Sequence, residues 1–193
     1  MKTNNNINFK ALPPCVRVVN KKILASRELS ARELYQLRRE NVRQIVDFRT
    51  KGKILQRAKE AIICFFLGIK RKSMPIFLER GLPSEQQIKH VEQFVDSSPS
   101  KTLFHCNGGF HRTNIFAQIL QLRKGETTIT EALQYLRDNG FFKIRKAKIL
   151  PKEILDKRAK KLQEIFMQFR ERFEPKTLQW NYIMLLYDLH CMY

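Results

Sequence analysis

Apolar and polar positions in this sequence follow two periods in turn, and each change of period marks a new predicted element. Short apolar runs bounded by turn residues predict strands at residues 16–19, 23–24, 42–48 and 102–105, with an extended segment at 69–76. Between them, apolar residues spaced three or four apart predict helices at 30–39, 55–67, 84–96, 115–122 and 128–139. Strands that alternate with helices predict an α/β protein, with a mostly parallel central sheet flanked by helices.

Local signals support the helix boundaries. Three pairs have the spacing of a capping box: Ser30 with Glu33, Ser84 with Gln87, and Thr128 with Glu131. Gly68 suits the C-terminal end of the second helix. The first helix is expected to bury Leu34, Leu37 and the aliphatic part of Tyr35. The second helix has a crowded apolar segment that we expect to be largely buried: Ile62, Ile63, Phe65 and Phe66.

The character of the chain changes at residue 141. Residues 141–175 carry eleven Lys or Arg against five Asp or Glu. Apolar residues at helical spacing continue through this basic segment, which indicates a helix that packs on the core and displays cations outward. We therefore predict a polar tail at 1–12, a core domain at 13–150, and a basic helical C-terminal extension at 151–193 packed on that core.

The net charge is unusual for a chain of this size. In 193 residues, 37 Lys and Arg stand against 18 Asp and Glu, which gives a formal net charge of +19. Such a surface attracts an anionic partner, and nucleic acid, an acidic membrane leaflet and a phosphorylated substrate all fit. A lysine-rich source proteome would also produce this charge. The hydrophobic share of 43% is ordinary for a globular protein and argues against wholesale disorder.

Cysteine usage and the lengths of the apolar runs indicate the cellular compartment in which the protein is expected. Cys15, Cys64, Cys106 and Cys191 show neither paired nor zinc-binding spacing, which is typical of a protein from a reducing compartment. The N-terminus has no apolar signal segment, and runs such as 61–68 are far too short to span a bilayer. We expect a soluble cytoplasmic protein without a transmembrane segment; later delivery to another compartment or a host cell stays open.

The stretch 102–113 carries the candidate chemistry. An apolar run ends in His105 and Cys106, five residues with two adjacent glycines follow, and Arg112 and Thr113 open the next helical pattern. A strand, a tight loop and a helix N-terminus in this order form an anion site from loop amides and the helix dipole. A cysteine at the mouth of such a site is expected to be a thiolate, and an arginine can clamp two phosphate oxygens. The pattern predicts phosphate chemistry at Cys106.

His105-Cys106-x5-Arg112-Thr113 resembles the His-Cys-x5-Arg-Ser/Thr signature of cysteine-dependent protein tyrosine phosphatases, including the dual-specificity enzymes. Residues 23–34 and 41–49 look like the bacterial tyrosine-phosphatase-like group, in which a Ser-x-x-x-Leu-Ser-x-x-x-Leu helix leads into an Ile-Asp-Leu-Arg strand. Residues 74–76 and 83–88 resemble the stretch between that group's general-acid loop and its signature. The resemblance covers residues 15–145 and implies a protein-tyrosine-phosphatase-like fold for the core domain.

The resemblance implies a role for each residue of the signature. Cys106 would attack phosphorus and form a phosphocysteine, which water then hydrolyses. Arg112 would hold two phosphate oxygens, Thr113 would donate a hydrogen bond to the cysteine sulfur, and His105 would order the loop by bonding to backbone. The other phosphate contacts would come from the loop amides of Asn107, Gly108, Gly109, Phe110, His111 and Arg112.

The sequence departs from the family pattern at the general acid. Family enzymes protonate the leaving oxygen with an aspartate upstream of the signature, but residues 75–83 contain no aspartate and Glu79 is the only carboxylate there. We predict Glu79 as the acid, against the alternative of a solvated loop glutamate. Asn114 also replaces the glycine that usually follows the Arg-Ser/Thr pair. Asp47 is expected to orient Arg49 or the signature loop, unless it is a plain strand-end acid.

Metal ligation is the less favoured interpretation of the same stretch. His105, Cys106 and His111 offer ligand atoms, but the sequence places no second cysteine or acidic ligand beside them. We therefore predict no metal and no cofactor.

Three functions stay open on this sequence. The first is a hydrolase of the protein tyrosine or dual-specificity phosphatase type, acting on a phosphorylated protein. The second keeps the loop and changes the substrate, to a phosphoinositide or to the 5′-triphosphate of RNA; the metazoan RNA 5′-triphosphatases of this superfamily work without the usual aspartate. An acidic membrane surface or RNA would then bind the basic face. The third is a non-catalytic phosphate-binding protein that keeps Cys106 and Arg112 but lacks an efficient acid.

Overall fold

The computed structural model describes four continuous ranges of the chain and five single helical residues: 12–50, 54–77, 82–109 and 111–139, with 160, 164, 167, 168 and 171. The chain divides into two compact units, residues 1–76 with 86–113, and residues 77–85 with 114–193. Nearly all of the predicted polar tail and most of the predicted C-terminal extension lie outside the described residues, as do Glu79 and Phe110.

The first unit is built on one sheet. Its strands are β1 (Val16–Val18), β2 (Ile23–Ser26), β3 (Val42–Asp47), β4 (Lys70–Ser73) and β5 (Lys101–His105). Their spatial order is β1-β2-β5-β3-β4. β1 pairs antiparallel with β2, and the other three pairs are parallel. The prediction of a mostly parallel sheet is confirmed, and β5 lies at its centre between β2 and β3.

Five helices are described: α1 (Ala31–Arg39), α2 (Ile54–Phe66), α3 (Glu85–Asp96), α4 (Arg112–Arg123) and α5 (Ile129–Asp138). α1 begins at the predicted capping box, in which the Ser30 side chain accepts from the Glu33 N–H and Glu33 accepts from the Ser30 N–H. The same reciprocal bonds join Thr128 and Glu131 at the start of α5. α2 ends before Gly68, whose φ of +61° favours glycine.

The core of the first unit lies between the sheet and the helices that follow its strands. Leu34 and Leu37 of α1 are buried, as their spacing predicts. They belong to one apolar cluster of eight fully buried residues: Leu24, Leu34, Leu37, Val42, Ile45, Cys64, Ile69 and Leu103. On β5, the ring of Phe104 meets Phe48 edge to face, with the centroids 5.3 Å apart. This packing fixes the strand that leads into the signature loop.

The second unit contains α4 from Asn114 onward and α5. Its buried apolar residues include Ile115, Phe116, Ile119, Leu120, Ile129, Ala132 and Leu136. Asn114, which stands where the family has glycine, is fully buried, and its amide donates to the carbonyl of Asn139 at 3.3 Å. The helix therefore accommodates Asn at this position.

The expectation that α2 buries its crowded apolar residues was wrong for Ile62, Phe65 and Phe66, whereas Ile63 is partly buried against the apolar cluster. Phe65 is 79% exposed, Phe66 is 80% exposed and Ile62 is 56% exposed, and the buried residues of this helix are Glu60 and Cys64. The helix turns its polar stripe inward because Glu60 meets buried arginine side chains there, as described below.

Two further expectations, on the burial of Tyr35 and on helices that could span a membrane, can be compared with the structure. Tyr35 is 56% exposed and therefore only partly covered, and the buried residues of α1 are Leu34 and Leu37. Among the described residues, no helix is long and apolar enough to cross a membrane.

Candidate active site

Cys106 lies directly after the central strand, at the carboxyl edge of the parallel sheet. The register pairs His105 of β5 with Ser26 of β2 and with Asp47 of β3, so three strand ends meet at this point. The N–H of Phe48 donates to the carbonyl of His105 at 2.9 Å, which extends the pairing to the end of the strand. Ligand sites of open α/β sheets lie at this edge. Cys106 is only 3% exposed at the foot of the loop.

The loop after Cys106 folds back over the sulfur. The N–H of Gly109 donates to the Sγ of Cys106 at 3.2 Å. α4 begins at Arg112 and brings the positive end of its helix dipole to the end of this loop. The carbonyl of Gly109 accepts from the guanidinium of Arg17, so the loop is held from the strand side as well.

Gly109 is required by its surroundings. Its φ is +74°, and a Cβ at this position would lie 2.4 Å from the backbone nitrogen of Arg27 and 2.5 Å from the carbonyl carbon of Ser26. Both contacts are with backbone, which cannot move aside as a flexible side chain can. The Gly-Gly pair therefore allows the loop to pass directly against the end of β2.

The two other described cysteines differ from Cys106. Burial raises the pKa of the Cys64 thiol to about 11, and the negative charge of Glu60 acts in the same direction. Burial also raises the pKa of Cys15, whose thiol donates to the carboxylate of Glu33 at 3.2 Å. Both groups are therefore held as thiols, and neither is a candidate nucleophile.

Arg112 and Arg49 differ in whether their guanidinium groups are bonded to other residues of the protein. Arg49 is 1% exposed and is bonded on every side: two bonds to Asp47 at 2.8 and 2.9 Å, one to Glu28 at 2.6 Å, and an ion pair with Glu60 at 3.0 Å. Arg112 makes no hydrogen bond or ion pair with the described residues, and its Nε is buried. Its guanidinium is therefore available to bind an incoming anion.

The remaining predicted loop residues take different positions. Thr113 is fully buried, and its hydroxyl has no hydrogen-bond partner among the described residues, so its predicted bond to sulfur stays a prediction. Asn107 is exposed, and its carbonyl accepts from the N–H of Glu28 at 3.4 Å. His111 is exposed and Gly108 is half-buried. Phe110 and Glu79 lie outside the described residues, and their predicted roles stay predictions.

Behind the loop lies a buried ion-pair network that joins β3, α2, β4 and β5. Asp47 accepts from Arg49 and also from Arg71. Arg71 donates through its Nε to Glu60 at 2.7 Å. The Nε2 of His105 lies 3.3 Å from a Glu60 oxygen and 3.8 Å from an Asp47 oxygen. We expected His105 to bond to backbone, but among the described residues its ring has these carboxylates as nearest polar neighbours.

The network decides the ionisation of its two acids. Burial would raise the pKa of Asp47, but the hydrogen bonds from Arg49 and the electrostatic interactions with His105 and Arg49 outweigh it and lower the pKa. Burial likewise opposes ionisation of Glu60, and His105, Arg71 and Arg49 reverse that effect, so the pKa of Glu60 is also lowered. Both carboxylates are therefore charged at neutral pH and hold the strand before Cys106 from behind.

Asp47, Glu60 and His105 also place three ligand atoms within 4.8 Å of one another, close enough to hold a metal ion. The oxygens involved already bind guanidinium groups of Arg49 and Arg71. A cation at this position would have to displace those arginines in a buried region, and the donor set therefore fits an ion-pair network better than a metal site.

Several residues of this region were not identified from the sequence: Arg17, Glu28, Glu60 and Arg71. Glu60, Cys64 and Arg57 share one stripe of α2 at helical spacing, which is a detectable pattern. It was outweighed by the apolar residues on the opposite side. Arg17, Glu28 and Arg71 come from separate strands and loops, and nothing local in the sequence brings them together.

A groove of about 560 Å³ opens beside the loop, between the start of α1 and one side of α2. Its lining residues include Asn107 of the loop, Glu28, and Lys59 of α2. Leu29, Leu34 and Ile63 supply its apolar wall. A groove of this size is within the range of small-ligand sites.

No protein-family model and no curated protein matches this sequence. Solved structures do match the fold. TpbA from P. aeruginosa aligns at a TM-score of 0.54 with 18% identity, over 65% of this chain and 74% of that one. Tk-PTP aligns at 0.51 with 19% identity, over 79% and 96%. A DUF442 protein from Shewanella putrefaciens aligns at 0.58 with 14% identity, over 82% and 93%.

These similarities establish the fold. The chain has a protein-tyrosine-phosphatase-like fold, and the predicted fold is confirmed. The signature loop of this chain lies at the carboxyl edge of that sheet, after its central strand.

Gly109→Ala is expected to disrupt the loop, because the added Cβ meets backbone at 2.4 Å. A displacement of the reacting groups by about 1 Å costs roughly 100-fold in rate, so turnover of an aryl phosphate should fall by that order. Gly125→Ala is the matched control: its φ is +66° but a Cβ there meets nothing within 4 Å. Equal losses in the two variants would show that backbone strain, rather than the contact with Ser26 and Arg27, limits this position.

The stability of the protein should fall on acidification through the network. The pKa values of Asp47 and Glu60 are below their ordinary values, so the unfolded chain binds more protons and stability is lost as the pH drops below about 5. Glu60→Gln should lower the free energy of unfolding at pH 7 by about 3–5 kcal/mol and weaken its dependence on acid pH, as measured by urea unfolding.

Glu40→Gln is the control for that experiment, since the Glu40 side chain makes no ion pair with the described residues. It should behave as the wild type at each pH. An unchanged acid dependence in Glu60→Gln would contradict the assignment of Glu60 to the network.

Proposed function

We propose that this chain is a cysteine-dependent phosphatase that hydrolyses a phosphomonoester through a phosphocysteine, on phosphotyrosine or as a dual-specificity protein phosphatase. One observation carries the proposal. The sulfur of Cys106 accepts the N–H of Gly109 in a loop that ends at Arg112, a guanidinium without a partner among the described residues. A stabilised sulfur nucleophile and an available anion clamp on one loop suit phosphoryl transfer.

The proposed reaction has two steps. In the first, the Cys106 thiolate attacks phosphorus; an S–P bond forms, the P–O bond to the leaving group breaks, and Glu79 gives its proton to the leaving oxygen. In the second, water attacks the phosphocysteine and releases phosphate and the thiolate, while Glu79 takes a proton from that water. Arg112 and the loop amides hold the phosphoryl oxygens in both steps.

Two observations favour a phosphorylated protein over the other substrates. A crystal structure of TpbA, which shares the fold at a TM-score of 0.54 and 17% identity, holds phosphotyrosine. The groove beside Asn107 combines an apolar wall with a lysine, a surface that suits an apolar and an acidic side chain next to a phosphorylated residue. Phosphoinositides and RNA 5′-triphosphates would use the same loop, and the assay below separates them.

Cys106→Ser is expected to reduce hydrolysis of phosphotyrosine peptide by more than about 1,000-fold, because the nucleophile is lost. Arg112→Ala should reduce it by about 100-fold or more, because the phosphate clamp is lost. Cys15→Ser and Arg32→Ala are matched controls, a half-buried thiol and an exposed arginine elsewhere in the first unit, and should keep full activity.

The wild type should be assayed against phosphotyrosine and phosphothreonine peptides, inositol phosphates, phosphoinositides and triphosphate-ended RNA. The proposal predicts the highest kcat/KM for a phosphopeptide. A higher kcat/KM for a lipid or an RNA would instead identify that molecule as the substrate class. Tight phosphopeptide binding without turnover would make the protein a phosphate-binding module.

Glu79 can be tested through the leaving group. Glu79→Gln should slow hydrolysis of a phosphotyrosine peptide by about 100-fold, because the phenolate leaves poorly without a proton. A phosphate ester of a strongly acidic phenol should be affected far less, and Glu79→Asp should restore part of the rate. The same small loss on both substrates would remove Glu79 from the mechanism.

A further inference from the structure

α2 exposes a large apolar face. Five of its apolar side chains are more than half exposed: Ile54 at 84%, Leu55 at 74%, Ile62 at 56%, Phe65 at 79% and Phe66 at 80%. The rings of Phe65 and Phe66 contact each other, with centroids 5.7 Å apart. Monomeric proteins rarely leave such a contiguous surface uncovered, and one of this kind marks an interaction site.

The spacing places these side chains together. Leu55, Ile62 and Phe66 follow one another at intervals of seven and four, and Ile54 and Phe65 flank them on the neighbouring stripe. The helix is 13 residues long, so the face extends over about 20 Å. The fold does not use these five side chains for its own core, since α2 packs inward through Glu60, Cys64 and the partly buried Ile63.

The exposed charges within α2 and β4 are positive. Lys59 is exposed on the same stripe, between Leu55 and Ile62, and Lys70 is exposed on the strand that follows the helix. In residues 54–77 the only carboxylate is Glu60, which is 5% exposed and paired with Arg49 and Arg71. Residues 54–77 therefore offer apolar side chains and cations without an exposed acid of their own.

The charge of this face distinguishes between two possible partners, a second copy of this chain and an anionic membrane. A second copy of this chain would bring together two molecules with a formal charge of +19 each, and the segment has no exposed carboxylate to offset the repulsion. An anionic bilayer satisfies both features at once, because aromatic and aliphatic side chains enter the headgroup boundary while lysines bind the acidic lipids.

We infer that the exposed face of α2 docks on an anionic lipid membrane, with Phe65 and Phe66 inserted and Lys59 and Lys70 against the headgroups. Lys59 and Gln56 also line the groove that contains Asn107, so this face adjoins the candidate active site. The inference rests on the surface alone and holds whether or not the protein is a phosphatase.

The test is co-sedimentation of the full chain with vesicles of equimolar phosphatidylserine and phosphatidylcholine, and with phosphatidylcholine alone. The wild type should bind the anionic vesicles and bind the neutral ones at least about tenfold more weakly. The double variant Phe65→Ser with Phe66→Ser should weaken binding by about 100-fold, since it removes both rings that would be buried in the bilayer. Their exposure means that the urea unfolding midpoint should not fall.

A charge-matched pair separates this face from general basicity. Lys59→Glu should weaken binding to anionic vesicles by about tenfold, and Lys89→Glu, an exposed lysine of α3, should weaken it much less. Equal losses in the two lysine variants would overturn the inference, as would unchanged binding in the double phenylalanine variant. So would absence of vesicle binding, or a dimer in sedimentation velocity that the double variant dissociates.

Discussion

The buried guanidinium of Arg49 is the interaction on which the candidate site depends. It binds Asp47, Glu28 and Glu60, which come from a strand, a loop and a helix. Arg71 closes the network from the edge strand by bonding to Asp47 and Glu60. Buried charges are costly unless they are paired, and here each finds a partner only when these elements are in place. The network therefore fixes the position of β3 and α2 relative to β5, the strand that delivers Cys106.

This arrangement also separates two kinds of arginine. Arg49 and Arg71 donate hydrogen bonds to internal carboxylates and stabilise the fold. Arg112 lies on the other side of His105 and Cys106 in the sequence, at the first position of α4, and has no described partner. Because the internal acids are already paired, they do not compete for Arg112. Arg112 thus stays available at the end of the loop for the phosphate that the proposed function requires.

The same network explains the unusual orientation of α2. Glu60 has to face the sheet to meet Arg49, Arg71 and His105, and Cys64 follows one turn later on the same side. Ile62, Phe65 and Phe66 are then left on the outer side. An internal electrostatic requirement thereby produces an external apolar face, and the flanking lysines give that face a positive character. Site and surface are two sides of one helix.

The sequence by itself determined most of the elements and predicted the chemistry of the loop. Capping pairs such as Ser30 with Glu33, the period of the strands, and Cys106 with Arg112 are local patterns whose spacing dictates their structure. Only the tertiary structure decided which side of α2 is buried, because Glu60 is stabilised inside by arginines 11 residues away along the chain in each direction. It also decided that Gly109 passes against Ser26 and Arg27 and that His105 faces carboxylates. Contacts between residues so far apart in sequence leave no local period, so they appear only when the chain is folded.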